Sequence, residues 1–293
     1  LPELKLLTQY TYQRRKGEES SYASSNTQEG SGYWGDQKGV GRWAYSAGQT
    51  MEFEGRLTYN KTFNEKHSLN ALGAIVYNKD RQNNTYFKLR DFPDDEVQNG
   101  IWQGSDLVDY GGKGGSAVGS VMFSYIARAE YKFMNRYLLT GTFRADGSSK
   151  FAKGNQWGFF PSAAVAWRIS SESFMENTKN WLDDLKLRFS YGTAGNNNIP
   201  SGQISQLYEL NKTPWINGVN SYIAPSKYMA NSDLTWETTI TRNVGLDFTT
   251  LGGRLSGTIE GYWNNTKDLL IMFPTSGTGY NYQYRNMGET ENK

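Results

Sequence analysis

Apolar and polar side chains alternate along residues 157–169. One face of this stretch carries Trp157, Phe159, Ala163, Val165, Trp167 and Ile169. The other face carries Gly158, Ser162, Ala164, Ala166 and Arg168. Because successive side chains of a strand point to opposite sides, the pattern predicts a strand that meets an apolar medium on one face and a polar one on the other.

The same period recurs through the chain and predicts nine strands with part of a tenth near Tyr280. The nine predicted strands are residues 4–13, 51–59, 69–77, 121–133, 137–144, 157–169, 185–191, 236–248 and 254–265. Aromatic residues gather near strand ends, as at Tyr131, Tyr137 and Trp167. Aromatic girdles at both interfaces are typical of strands that cross a membrane.

The links between the predicted strands alternate in length. Short links at 61–67, 134–136 and 251–253 alternate with long polar loops at 17–41, 80–115 and 195–234. Links of intermediate length lie at 146–156 and 171–184, and in the second we expect a helical turn that packs Phe174, Met175 and Trp181. Short turns on one side and long loops on the other are the rule for bacterial outer-membrane barrels.

The composition favours a β-barrel with a hydrated lumen over a soluble protein with a large hydrophobic core. Hydrophobic residues make up 37% of the 293 residues and aromatic residues 15%, which is few aliphatic side chains for a large soluble core. No run approaches the roughly 18 apolar residues of a membrane helix, and there is no cysteine for a disulfide or a thiolate site. The sequence therefore predicts an all-β, antiparallel transmembrane barrel of about ten strands.

Both ends of the chain suggest part of a larger barrel. No signal peptide precedes the first predicted strand, and residues 287–293 contain no closing strand. An open sheet edge in lipid leaves backbone groups without hydrogen bonds. We therefore expect residues 1–293 to be the central part of a single barrel domain, with further strands outside it.

The polar motifs carry weak signals for chemistry. Residues 111–116 contain glycines and a lysine, but their spacing is not that of a phosphate loop, so an external loop is favoured. His67 is read as a solvated turn residue, and Asp183 and Asp184 as a strand-entry turn. Residues 94–96 (Asp-Asp-Glu) could bind calcium, although a solvated charge run is favoured. We expect no catalytic site, no metal and no cofactor.

Charged side chains on the polar faces and aromatic side chains in the long loops remain as candidates for binding. The predicted inner charges are Glu52, Glu54, Arg56, Arg128, Glu130, Lys132, Lys186 and Arg188. Ion pairs within the wall, or contacts with a plug, are favoured over substrate contact. Trp34, Trp102 and Trp215 lie in the long loops and could stack on sugar rings or pack against another protein.

Several ordered blocks of the sequence resemble the SusC/RagA family of TonB-dependent outer-membrane transporters. The blocks are RADGSSKF (144–151), WGFFPS (157–162), WLDDLKLR (181–188), SYGTAGN (190–196), NSDLTWE (231–237), NVGLDF (243–248) and TKDLL (266–270). The resemblance implies a plugged barrel of about 22 strands. It further implies that the amino-terminal plug, the signal peptide and the carboxy-terminal strands lie outside this chain.

The resemblance also implies partners and a location. The barrel would lie in the outer membrane of a Gram-negative cell and import oligosaccharides or peptides. A SusD-like surface lipoprotein would cap the barrel, and two such transporter–lipoprotein pairs could form a dimer. The TonB–ExbB–ExbD complex would supply the energy for transport. Arg242 departs from the pattern because it falls on the lipid-facing register, so we expect it near the outer leaflet or against a neighbouring subunit.

A soluble protein is the alternative interpretation. A secreted all-β protein that binds or cleaves glycans would bury its apolar faces against one another and place paired carboxylates in a cleft. The clean alternation and the asymmetry of loop lengths argue against it. The net charge of +2 gives no indication of nucleic-acid binding.

Overall fold

A computed structural model of the chain describes residues 2–31, 38–93, 95, 104, 106–112, 119–212 and 221–293. The chain divides into two compact units. We call the first the wall unit, which consists of Leu1–Gln9, Phe53–Tyr77 and Val121–Lys293. We call the second the extension unit, which consists of Tyr10–Glu52 and Asn78–Ser120.

Long antiparallel strands dominate the structure. The first eight are β1 (Leu4–Ala23), β2 (Val40–Phe63), β3 (His67–Arg90), β4 (Asp106–Gly112), β5 (Ser120–Phe133), β6 (Tyr137–Ser148), β7 (Trp157–Arg168) and β8 (Leu182–Asn196). The others are β9 (Tyr208–Lys212), β10 (Ser221–Pro225), β11 (Tyr228–Met229), β12 (Glu237–Thr250), β13 (Leu255–Lys267), β14 (Leu270–Pro274), β15 (Tyr282–Asn286) and β16 (Glu289–Asn292). Among the described residues, helix is limited to Gln28–Ser31 and two 3-10 turns, Ile169–Ser171 and Ser173–Thr178.

The main sheet follows chain order and confirms the predicted antiparallel wall. Its order is β1-β2-β3-β5-β6-β7-β8-β12-β13-β16, and β4 pairs with β3 off this path. Two small sheets stand apart from it, one of β9 with β10 and one of β11, β15 and β14. All nine predicted strands are present, although three predicted ends, Ile169, Trp236 and Arg254, lie one residue outside β7, β12 and β13. No helix in the described part of the chain is long and apolar enough to cross a membrane.

The two edges of the wall unit differ as predicted. At one edge, which we call the short-turn edge, the links are residues 64–66, 134–136, 169–181 and 251–254. In the turn 134–136, Met134 and Asn135 adopt left-handed backbone, with φ angles of 51° and 57°. The opposite edge, which we call the long-loop edge, carries residues 149–156 and 197–236 and the two small sheets.

Strand alternation places large apolar side chains on one side of the wall unit, which we call the outward face. Between 47% and 66% of the surface of these side chains is exposed: Tyr125, Leu139, Phe143, Phe159, Val165, Phe189, Val244 and Ile259. Monomeric soluble proteins rarely expose a continuous apolar face of this extent. The exposure indicates a face that is covered by hydrocarbon, and it contradicts the alternative of a soluble protein with buried apolar faces.

Several predicted loop boundaries are wrong because strands continue past the apolar belt. β1 extends to Ala23 and β2 begins at Val40, so the predicted loop 17–41 is partly strand. β3 extends to Arg90, β4 lies inside the predicted loop 80–115, and β6 continues to Ser148. Hydrogen bonds between strands do not depend on an apolar face. A strand that continues beyond the hydrocarbon therefore keeps its backbone hydrogen bonds, but its residues no longer alternate between apolar and polar.

Three further predictions near the short-turn and long-loop edges are also wrong. The strand near Tyr280 is not a wall strand, because the tenth strand of the wall is β16. The predicted loop 195–234 contains β9, β10 and β11. Residues 171–184 do form helical turns, but Phe174 and Trp181 are 66% and 55% exposed instead of packed.

Glu172 holds the 3-10 segment of the short-turn edge in place. Its carboxylate accepts hydrogen bonds from the Tyr137 hydroxyl (2.7 Å) and the Trp167 indole N–H (3.1 Å), and pairs with Arg136 at 3.2 Å. The hydrogen bond from Tyr137, followed by that from Trp167, lowers the pKa of Glu172. This turn therefore carries its negative charge at neutral pH and binds the ends of β6 and β7 together.

Candidate functional site

The inner face of the wall unit carries ion pairs within single strands. Residues two apart share a face, and the Nε atoms of Arg56 and Arg128 lie 2.8 and 2.9 Å from Glu54 and Glu130. An Arg144–Asp146 pair repeats the arrangement in β6 with Nε to Oδ2 at 2.6 Å. Four of the predicted inner charges therefore pair within the wall, which is one of the two arrangements favoured from sequence.

Asp247 is the centre of a pairing cluster that crosses three strands. Its carboxylate lies 2.8 Å from Lys186 Nζ and 2.9 Å from Arg188 Nε, and Arg188 also reaches Glu260 at 2.6 Å. A Cβ on Gly245 would lie 2.8 Å from the Arg188 guanidinium, so a larger residue there would require this side chain to shift. The cluster ties β8, β12 and β13 together across the inner face.

We expect Asp247→Ala to destabilise this part of the wall. Two cations would lose their shared carboxylate, although Asp247 and its partners keep 23–33% of their side-chain surface. Solvent therefore screens the loss, and we expect a decrease in the free energy of unfolding of about 1–2 kcal/mol. Urea unfolding of the full-length protein in detergent measures it. Thr258→Ala is the control, since it removes only a hydroxyl that donates to Asp247 at 3.1 Å, and an equal loss in both variants contradicts the prediction.

Two members of the predicted inner set lie outside these pairs. Glu52 accepts a hydrogen bond from the Asn78 side chain at 3.4 Å. Lys132 is exposed. The sequence pattern identified the face of every member correctly, and it could not identify the partners of Glu52 because partner choice depends on register.

A small apolar core, the rim core, closes the long-loop edge of the wall unit. Its buried members are Phe151, Phe160, Ile199, Leu234 and Trp236. Phe151 and Leu234 have no exposed surface, and the ring of Trp236 lies 5.4 Å from those of Phe151 and Phe160. Loops that would otherwise be separate therefore share one packed centre.

Hydrogen bonds join the same loops around the rim core. The Trp236 indole donates to the Gln156 carbonyl at 2.9 Å. Asn197 donates to the Ser148 hydroxyl at 3.0 Å, and the Thr235 amide donates to the Asn286 side chain at 2.9 Å. The sequence blocks at 144–151, 157–162, 190–196 and 231–237, which are distant in the chain, meet here.

Sequence reasoning missed this region as a whole, and Glu237 and Phe160 are two of its members. Glu237 accepts hydrogen bonds from the Asn196 side chain and the Leu270 amide, both at 3.0 Å, and so links β8 to the start of β14. Phe160 points inward, against the polar character of its face, and is only 6% exposed. A bulky aromatic residue on an otherwise polar face is the signal that could have revealed this core.

The predicted binding tryptophans, Trp34, Trp102 and Trp215, lie outside the described residues. The same holds for Asp94, Glu96 and residues 113–116. Gly111 and Gly112 end β4, so the predicted external loop begins after a strand. Asp183 and Asp184 do lie at the entry of β8, where Asp183 accepts the Gly253 amide at 3.0 Å.

His67 is not the solvated turn residue that was predicted. It is the first residue of β3, its Nδ1 lies 2.6 Å from the Tyr131 hydroxyl, and its ring centre lies 4.8 Å from that of Phe133. β3 lies beside β5 in the main sheet, a neighbour that the sequence period alone could not identify. His67 thus forms part of the aromatic layer at the short-turn edge.

Asp95 in the extension unit is also bound instead of solvated. Its carboxylate accepts hydrogen bonds from the Ser25 hydroxyl (2.5 Å), the Ser25 amide (2.8 Å) and the Tyr22 hydroxyl (2.8 Å). These bonds, with those of Ser25 first, lower the pKa of Asp95 to about 2. Tyr22 in turn packs edge-on against the buried Phe92 at 5.1 Å. Asp95 therefore holds residues 22–25 in place through these hydrogen bonds.

We expect Asp95→Asn to loosen residues 22–25. A carboxylate with a lowered pKa stabilises the fold above its unfolded pKa of about 4, and this contribution is lost as the pH falls toward 2. At neutral pH the variant should therefore exchange the Ser25 amide faster than the parent, and at pH 2 the difference should shrink. Hydrogen exchange measures both. Equal protection of the Ser25 amide at neutral pH contradicts the prediction.

Comparisons with known proteins agree with this geometry. Residues 3–293 match the family described as TonB dependent receptor-like, beta-barrel. The chain is 42% identical over 182 residues to the TonB-dependent receptor SusC of Bacteroides thetaiotaomicron, covering 60% of this chain and 18% of that protein. A TonB-dependent receptor of Formosa agariphila is 33% identical over 254 residues, covering 82% of this chain and 24% of that protein.

A solved structure described as the RagAB peptide transporter has the same fold. The TM-score is 0.85 with 25% sequence identity, and the match covers 99% of this chain and 31% of that one. The chain therefore spans less than a quarter of the length of these curated relatives and less than a third of the solved one.

Proposed function

Because the chain belongs to the TonB-dependent receptor-like β-barrel family, we propose that it is part of the wall of an outer-membrane active transporter. Proteins of this family with SusC-like and RagA-like sequences are outer-membrane barrels. The observation that carries the proposal is a continuous sheet with an exposed apolar face on one side and paired charges on the other. Lipid covers the first face, and a hydrated lumen meets the second.

The transporter imports its cargo without covalent chemistry by this chain. The inner ion pairs form a polar wall along which a plug is seated and moved, and a TonB–ExbB–ExbD complex drives that movement through a segment before the plug. The likeness to SusC and to the RagAB peptide transporter supports an oligosaccharide or a peptide as cargo. The long loops, with Trp34, Trp102 and Trp215, contact the cargo or a SusD-like lipoprotein.

Residues 1–293 belong to a single barrel domain whose plug and remaining strands lie elsewhere in the full-length protein. The short match to each relative supports this arrangement. The intact mass of the protein extracted from its native membrane in detergent tests it. A mass far above that of 293 residues is expected, and a native protein of that size that stays soluble without detergent contradicts it.

Uptake by intact cells tests the transport function. Deletion of the gene for the full-length protein should abolish uptake of one class of labelled cargo, oligosaccharides or peptides, and deletion of tonB should have the same effect. Parallel assays with both classes of cargo identify the substrate. Uptake of both classes that is unchanged by either deletion overturns the proposal.

A further inference from the structure

An unpaired cation lies on the apolar outward face of the wall unit. Arg242 belongs to β12 and is exposed in register with Tyr191 of β8 and Trp263 of β13. Its guanidinium carbon lies 5.9 Å from the Tyr191 ring centre and 5.2 Å from that of Trp263. No carboxylate within the described residues forms an ion pair with it. A charge on this face is costly in hydrocarbon unless it meets a counter-charge.

The position of Arg242 along β12 places it near the far membrane surface. β12 ends at Thr250 on the short-turn edge. Eight residues of a strand tilted by about 40° rise roughly 20 Å, and the apolar band of such barrels is about 25 Å tall. Arg242 therefore lies at the level where lipid headgroups meet acyl chains on the long-loop side. Its two aromatic neighbours are residues typical of that level.

An apolar groove of about 710 Å³ runs from Arg242 toward the short-turn edge. Val165, Phe189, Val244 and Gly261 lie side by side in the next row of the register. Gly261 leaves a gap in that row, because a Cβ built there meets nothing within 4 Å. This gap leaves space above the row for an extended acyl chain.

We propose that Arg242 and this groove bind a phosphate-bearing lipid of the outer leaflet. The guanidinium forms charge-assisted hydrogen bonds to the lipid phosphate, and one acyl chain lies in the groove over Gly261. Lys293 lies 4.8 Å over the Trp263 ring, but Glu291 already neutralises it at 2.6 Å. Arg242 thus supplies the cation, and the groove supplies selectivity for a lipid over a free anion.

A second outward groove provides a matched control. It is lined by Leu57, Tyr59, Ala71, Gly73 and Phe143, and a Cβ on Gly73 also meets nothing within 4 Å. Arg128 is the cation among its lining residues, but its side chain lies on the inner face, where Glu130 holds it at 2.9 Å. Gly73→Val and Gly261→Val therefore make the same change in two apolar grooves. Only the groove that contains Gly261 ends at the cation proposed to bind the lipid, Arg242.

Native mass spectrometry of the delipidated full-length protein tests the proposal. The probes are lipid A with two phosphates, a neutral diacylglycerol, and inorganic phosphate. We expect saturable lipid A binding by the parent, and a loss of about tenfold in affinity for Arg242→Gln, as removing a charge-assisted hydrogen bond implies. Gly261→Val should weaken lipid A binding as well. Gly73→Val should leave it unchanged, and Arg242→Lys should retain part of it.

Three results would overturn the proposal. Equal lipid A affinity in the parent, Arg242→Gln and Gly261→Val shows that lipid does not use this site. If inorganic phosphate displaces lipid A at a similar concentration, the site binds phosphate as a simple anion and is not selective for a lipid. A change from dimer to monomer in Arg242→Gln, with lipid A binding unaltered, shows that Arg242 serves a protein interface. Gly261→Val keeps the test valid if Arg242→Gln does not fold, because its new side chain enters open space.

Discussion

Trp236→Ala is expected to open the rim core and to lower its free energy of unfolding by about 3–5 kcal/mol, the usual cost of deleting a buried Trp side chain. The indole is 9% exposed and packs against Phe151 and Phe160, each with ring centres 5.4 Å away. Its N–H also donates to the Gln156 carbonyl at 2.9 Å. The change would therefore leave a cavity, and the Gln156 carbonyl would lose one of its two hydrogen bonds.

Native-state hydrogen exchange measures this loss at the rim itself. The Ser148 amide, which donates to the Gln156 carbonyl at 3.0 Å, reports local opening. Trp236→Phe should cost less, because it keeps much of the packing and removes one hydrogen bond of about 1 kcal/mol. Phe174→Ala is the control, since Phe174 is 66% exposed at the short-turn edge. Equal protection of Ser148 in Trp236→Ala and Phe174→Ala would show that the rim core does not hold the loops.

The wall strands could be predicted from sequence because the pattern that defines them lies within each strand. Hydrocarbon on one side and water on the other impose a period of two, so the faces of Phe159 and Arg168 could be read directly. Short turns such as 134–136 leave no choice but an antiparallel neighbour. Every predicted wall strand is therefore present, and the errors lie at strand ends, where both faces meet water and the period disappears.

The rim could not be predicted because its contacts are distant in the chain. Trp236 meets Gln156 across 80 residues, and Asn231 meets the Tyr284 carbonyl across 53. The sequence period carries no information on such pairs. The resemblance blocks did identify the segments involved, and the structure gives them a physical role: they are the parts of the loops that pack together at the long-loop edge.

Packing at the rim also explains why two glycines stand beside one phenylalanine. Cβ atoms built on Gly195 and Gly158 would lie 2.0 and 2.4 Å from Cζ of Phe160. Real atoms never approach so closely, so the ring needs both glycines. Because Phe160 is 6% exposed and packs on Trp236, it cannot turn away without disturbing the rim core. The glycines in the blocks 157–162 and 190–196 thus serve a close approach between strands.

Gly195→Val is therefore expected to destabilise the rim by about 1–3 kcal/mol or more, the range for side chains forced into a filled space. The new side chain would displace the Phe160 ring, and Gly158 blocks its other side. Exchange of the Ser148 amide in the full-length protein measures the loss. Gly141→Val is the matched control, because a Cβ on Gly141 meets nothing within 4 Å. Adding Phe160→Val to Gly195→Val should recover part of the loss by removing the clash. If the Ser148 amide exchanges at the same rate in Gly195→Val and Gly141→Val, the position of the Phe160 ring does not depend on Gly195. The close approach would then contribute nothing to stability.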